Sequence, residues 1–427
     1  MSCFDFNNRE GKYLDYIESG IISLYNGDKD YIKYFDKAYS QNPSDDLLYK
    51  VVNNLLEYDE LVKFYSTKKD KCLGYDYYIN KDFVKAKDSG NMLAIKDLYE
   101  QYYYNFEFKK AYNILTKCNV KSDEYIYKVL DKNKDEFFEV EEIYNKMKDK
   151  KASDEEKEKF KNFVINYPVD YEIVYDVLKD DIEKNDKTAL FIKYLTLDKD
   201  SVVSNQILNK LVSMNFGPAI EEYVSVNKID NPSVELLDKM NKYAKRAYAI
   251  LLSNCVESGN ISNINYILSN VDDNPKNCIY IADFDYYYKD LKTAYNEYLK
   301  AYNYGFDIDY VVYRLSDIAK KIGKEKEFLK LTKNYTGENE YIILKMRYDL
   351  SKDKLEKKRI ALNMWITNPK LAASCLLELS KNDKNIACYT NILKMYKWEW
   401  IWKKFYYYLQ YFLYFHFLMN VVGINVW

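Results

Sequence analysis

Small and apolar side chains recur every fourth position along much of this chain, not every second. In residues 86–118 the series runs Ala86, Gly90, Ala94, Leu98 and Tyr102, then resumes at Ala111, Leu115 and Cys118. Related series appear at Tyr31, Phe35 and Ala38 and at Ala294, Tyr298 and Ala301. Such spacing keeps side chains on one helical face, so it predicts amphipathic helices, whereas a strand would alternate. The prolines agree. Pro43, Pro168, Pro218, Pro232, Pro275 and Pro369 each stand ahead of a periodic stretch and none interrupts one. Proline suits a first helical turn, where its missing N–H was unpaired anyway. Four follow Asn, a residue able to cap the free amides.

The punctuation repeats. Asn42 to Lys50 and Asn231 to Lys239 share N-P-S-x-x-L-L-x-K, and Ser89-Gly90-Asn91 matches Ser258-Gly259-Asn260. Glycine provides the left-handed turn that ends one helix, and Asn caps the next. Internal self-similarity of this kind marks repeat architectures. The series A-x3-G-x3-A-x3-L-x3-Y followed by A-x3-L-x2-C resembles the tetratricopeptide repeat and its Sel1-like relative. Alanine sits where two helices cross closely, and an aromatic ring fills the groove beside it. Tyr31, Ala111 and Ala294 take one slot of the second helix, 80 and 183 residues apart, which predicts units of about 36.6 to 40 residues. Tyr99 stands where the family has Gly. The resemblance implies an all-α fold over residues 1–396: an α-solenoid of stacked antiparallel helix pairs wound as a right-handed superhelix. It also implies a protein or peptide ligand on the concave face. Tyr99, Tyr103 and Tyr287 flank packing positions on first helices and are the candidate partner-binding residues. The alternative is that they complete the stack between repeats. Residues 146–161 are almost all charged and of mixed sign, which suggests a solvated loop and an exposed helix, capped by Ser153 with Glu156, or a break near 146–160.

Composition narrows the function. The chain has 427 residues with 48 Tyr but only 11 Gly and 6 Pro, too few for a turn-dense β-sandwich. Lys plus Arg number 64 against 66 Asp plus Glu, leaving no basic footprint for nucleic acid. Only five basic residues are Arg (Arg9, Arg246, Arg314, Arg347, Arg359), and the excess of Lys, Asn, Ile and Tyr resembles A+T-biased coding. Seven scattered cysteines without a C-x-x-C suggest a reducing, cytoplasmic compartment, neither disulfide framework nor zinc site.

Catalytic chemistry is sparse. His416 is the only histidine, which removes Ser-His-Asp and Cys-His catalysis and histidine metal sites from residues 1–396. No G-x-G-x-x-G or Walker loop occurs. Asp283-x-Asp285 and Asp307-x-Asp309 are expected to be solvent-facing acids. No catalytic, cofactor or metal residue is assigned. The expected function is a non-enzymatic interaction scaffold, with a carboxylate-dependent enzyme the least favoured reading.

The composition changes at 397–427. Four of the five tryptophans fall there, and residues 405–427 hold no Asp, Glu, Lys or Arg. That length suffices for a membrane span, although Tyr, Gln410, Asn420 and Asn425 are costly in hydrocarbon. The alternatives are an aromatic cap on the last repeat and an out-of-frame reading of an A+T-rich gene. A tail anchor predicts that the full chain stays with membranes through carbonate extraction; release into the supernatant eliminates that reading.

Overall fold

The computed structural model describes residues 3–68, 74–120, 122, 124–272, 274–380 and 385–396. Every regular element among them is a helix: twenty-six α-helices, a short 3-10 turn at Pro275–Asn277, and a further helical run at 385–396. None of the described helices is long and apolar enough to cross a membrane. The aromatic segment 397–427, with its anchor, cap and frame-shift readings, lies outside the described residues.

Local signals act largely as the sequence predicts. Pro218, Pro275 and Pro369 fall in first turns, and the Asn274 and Asn368 side chains accept from the amides of Lys276 and Leu371. Pro43, Pro168 and Pro232 instead lie two or three residues ahead of their helices, and Asp45, Asp170 and Ser233 do the capping. Gly259 ends Ala247–Ser258 in the left-handed region at φ 74°, and Gly90 adopts φ 82° between Phe83–Asp88 and Met92–Tyr104. The Ser153–Glu156 capping box starts Asp154–Asn166. The small residues sit at crossings. A Cβ on Gly20 would meet the Phe35 ring at 2.4 Å, so the first two helices approach at a point only glycine allows.

Helices pack on their sequence neighbours and in many cases on the next but one. Helices begin at Gly217, Ala247, Cys278, Ile308, Glu340 and Pro369, at intervals of 30, 31, 30, 32 and 29 residues. The period is therefore near 30, shorter than the 36.6 to 40 expected. Intermediate separations between three similar slots can be divided in more than one way, and the short helices here, such as Ile264–Asn270, leave each pair fewer residues.

Tyrosines bridge this period. Tyr75 donates to Asp46 at 2.9 Å, Tyr194 to Glu222 at 3.0 Å, and Tyr286 to Asp317 at 2.6 Å. Tyr99 reaches the Ile126 carbonyl at 2.9 Å and Tyr348 that of Cys375 at 2.9 Å. These partners lie 27 to 31 residues apart, one helix pair on or back. Each ring buries apolar area against its neighbours, while the hydroxyl satisfies a group on the adjacent pair, adding about 1 kcal/mol net.

Contacts divide the chain into two units. Among the described residues, the first joins those up to 91 with those from 338 to 396, and the second covers those from 92 to 337. In the first, Lys354–Met364 packs against both Cys3–Tyr25 and Asp46–Leu55, and Trp365 is fully buried, edge-on to Tyr25 with ring centres 5.5 Å apart. In the second, beginning and end meet. Tyr125 stacks on Phe306 at 4.3 Å and Lys128 donates to the Tyr302 carbonyl at 3.0 Å. Lys276 spans 110 residues to donate to the Asn166 carbonyl at 2.9 Å. The charged stretch 146–161 lies inside this second unit, running from the end of Lys134–Lys148 through a short loop into Asp154–Asn166, and these two helices pack together.

Burial holds the phenols of Tyr99, Tyr103, Tyr127, Tyr298 and Tyr389 well above the ordinary value of 10.0. The folded chain thus keeps protons that the unfolded chain releases above that value. The stability tied to these groups is complete below pH 10 and lost as pH rises beyond it. Urea midpoints measured from about pH 8 to 11 are expected to stay level to about pH 10 and then fall, with exposed phenols ionising first and the last fraction of phenolate absorbance appearing only together with loss of helical circular dichroism. Ionisation of every tyrosine while the helices persist would contradict this.

Candidate functional site: an arginine held among tyrosines

The three tyrosines singled out by sequence separate into two kinds. Tyr99 and Tyr103 have 0% and 1% of their surface exposed, and Tyr99 stacks on Tyr127 at 4.0 Å. Neither offers surface to a partner, which corrects their candidacy: they fill the space between helix pairs, as the alternative reading has it. The four-residue spacing that suggested a face also runs through the core, and spacing alone does not distinguish the two. Tyr287 is 55% exposed, and the adjoining Tyr288 41%.

Tyr287 stands next to a residue that sequence reasoning passed over. Arg314, on Ile308–Ile322, donates through Nε to the Tyr310 hydroxyl at 2.8 Å and through an Nη to the Tyr287 hydroxyl at 2.8 Å. Its guanidinium lies 4.9, 5.1 and 5.3 Å from the ring centres of Tyr286, Tyr310 and Tyr287. Asp283, on Cys278–Tyr288, lies 3.7 Å from Nε and accepts hydrogen bonds from Tyr298 and Tyr310. Tyr286 is fixed in turn by Asp317 and Lys321. The i, i+4 spacing of Tyr310 and Arg314 puts both on one helical face, and Asp283 and Tyr287 repeat that spacing on the facing helix.

Electrostatics lock the cluster. Burial pushes the Asp283 carboxyl above the usual carboxylate value, against the pull of the two phenols and Arg314. Burial also opposes the Arg314 charge, but its hydrogen bonds to Tyr287 and Tyr310 outweigh that and raise its pKa. A cavity of about 360 Å³ opens beside the cluster, lined by Asp283, Tyr287, Tyr288, Tyr310 and Arg314, with Glu257 at its edge. The arrangement presents ring faces and a fixed guanidinium edge.

Of the four aspartates expected to face solvent, Asp307 is exposed and the other three are not. Asp285 is 1% exposed and paired with Lys289 at 2.8 Å, Asp283 belongs to the arginine cluster, and Asp309 accepts from Tyr335. Among the described residues, no group of three or more His, Cys, Asp or Glu side chains is placed to hold a metal. A signal for Arg314 was present in the composition. With five arginines among 64 basic residues, an arginine stands out where lysine would serve for solubility alone.

Arg314→Lys is expected to cost about 1–2 kcal/mol, since an ammonium cannot hold both phenols and stack on their rings. Chemical denaturation measures this; a midpoint equal to wild type would show that the cage contributes nothing. Comparison of the chain with protein-family models, with curated proteins and with solved structures finds no match.

Proposed function

We propose that the protein is a non-enzymatic binding scaffold, built as an α-solenoid of antiparallel helix pairs in a right-handed superhelix similar to tetratricopeptide and Sel1-like arrays. The near-30-residue interval between helix starts and the packing of helices on the next but one support the stacked arrangement. The observation that carries the binding role is Arg314, held rigid at the edge of a cavity rimmed by the exposed Tyr287 and Tyr288. Tyrosine and arginine dominate the energetic centres of protein interfaces, because they bring large contact area with little entropy to lose. A guanidinium already fixed by two phenols loses less freedom on binding than a mobile lysine. The ligand is a protein or peptide surface that lays an aromatic or aliphatic side chain against these rings.

A reducing, cytoplasmic setting fits the free thiols of Cys118, Cys255, Cys375 and Cys388. Burial pushes Cys255 and Cys375 to about 11, so neither is a reactive thiolate at neutral pH. Tethering through 397–427 is the second reading, favoured by the 23 uncharged residues from 405 to 427.

Tagged full-length protein and a Tyr287→Ala/Tyr288→Ala double variant, recovered from expressing cells and analysed by mass spectrometry, test this role. Both substitutions are at exposed positions, so the fold should persist. The expected result is a reproducible protein partner for wild type, recovered at least about tenfold less well with the variant. Equal recovery, or no reproducible partner, counts against the reading.

A further inference from the structure

The sequence repeat N-P-S-x-x-L-L-x-K has a structural counterpart beyond starting helices. Its first copy opens Asp46–Leu55 in the first unit, and its second opens Val234–Tyr243 in the second unit. Each copy lines a cavity, of about 550 Å³ and about 530 Å³ respectively. Four motif positions line both cavities, while Asp45 lines only the first and Asn231 and Pro232 only the second. Ser44, Asp46, Leu47 and Lys50 line the first, and Ser233, Glu235, Leu236 and Lys239 line the second.

The geometry is repeated too. Lys50 pairs with Asp46 at 2.9 Å, and Lys239 with Glu235 at 3.0 Å, each four residues back. Leu47 and Leu236 are buried, with 5% and 8% exposed. The capping residue differs: Asp45 takes the role in the first copy and Ser233 in the second, so the helix starts one residue earlier there. The pockets survive that shift, which separates them from mere helix capping. The facing walls also match in kind, although they come from unrelated stretches of chain. Leu344, Ile360 and Asn363 face the first copy; Val212, Ile229 and Asn209 face the second. Two aliphatic side chains recur, with one carboxamide in the first wall and two, Asn209 and Asn227, in the second; among the described residues neither Asn209 nor Asn363 has a side-chain hydrogen-bond partner.

We propose that the motif is one recognition element used twice, each copy forming a pocket for a short, uncharged, extended peptide segment of a partner protein. The inference rests on the scaffold reading and identifies what such a scaffold grips. Charge decides against other ligand classes. Three cationic and three anionic side chains line the first pocket, two and two the second, so neither concentrates charge for a phosphate or a nucleic acid. An unpaired carboxamide offers one acceptor and two donors, enough to hold both groups of a peptide bond. The leucine and the opposing aliphatic pair provide an apolar seat for one side chain. Both volumes lie within the range of pre-formed ligand sites, roughly 300–1,000 Å³.

Selection of a phage-displayed random dodecapeptide library on the full-length protein, followed by calorimetric titration of the selected peptide, tests this. The expected outcome is one consensus lacking charged residues, binding at two sites per chain. Asn209→Arg should abolish one site, Asn363→Arg the other, and the double variant both, with helical circular dichroism unchanged. Lys50→Ala and Lys239→Ala, milder changes at partly exposed positions, should each weaken one site several-fold and guard against misfolding of the arginine variants. A peptide that binds the double variant as tightly as wild type overturns the two-pocket proposal and leaves the scaffold reading standing. A peptide whose binding is lost only in Tyr287→Ala/Tyr288→Ala does the same. Failure to select any peptide overturns the proposal, while recovery of a partner through Tyr287 and Tyr288 judges the scaffold reading separately.

Discussion

A buried tyrosine whose ring packs within one helix pair and whose hydroxyl reaches the neighbouring pair is the interaction on which this structure depends. The helices are short, many of seven to eleven residues. Isolated helices of that length are unstable in water, so their stability comes from packing. A leucine in the same place would bury comparable area but leave the carbonyl or carboxylate across the joint without a donor. Tyr99 on Ile126 and Tyr348 on Cys375 show both functions in one side chain. The 48 tyrosines are therefore more than a coding bias: many are the fasteners of the repeat.

The same preference shapes the candidate site. Where tyrosines gather at the surface around Arg314, the ring-and-hydroxyl chemistry that joins helix pairs fixes a guanidinium. Lysine is the ordinary cation of this chain, and it spans exposed ion pairs such as Lys33–Asp30, which contribute little. The cage is different because a planar cation satisfies two phenols and stacks on rings at once. The exposed cluster and the core are built from one set of contacts, separated only by whether solvent reaches them.

That overlap explains what was legible in the residues and what was not. Helix type, starts and stops were readable because caps, prolines and glycines act locally: Ser153 with Glu156 and Gly259 behave as their neighbours dictate. The crossing alanines were readable too, with Ala38, Ala94, Ala111, Ala294 and Ala301 all fully buried. The period was not, since slots separated by 80 and 183 residues admit several divisions. Tyr99 and Tyr103 were indistinguishable from Tyr287, because spacing records which helical face a residue occupies and not what covers that face.

The sequence by itself determined that this chain is helical, where most helices begin, and which small residues let them approach, because each follows from steric and capping preferences within a few neighbouring residues. Tertiary structure alone decided that residues near the N-terminus share a unit with 338–396, that Tyr125 meets Phe306, and that two copies of one motif each face a cavity. The shared unit, the Tyr125–Phe306 contact and the first cavity depend on segments more than a hundred residues apart, whereas the second cavity forms among three successive helices and the loop at 227–233. Capping and steric preferences act over a few neighbouring residues and encode none of these contacts.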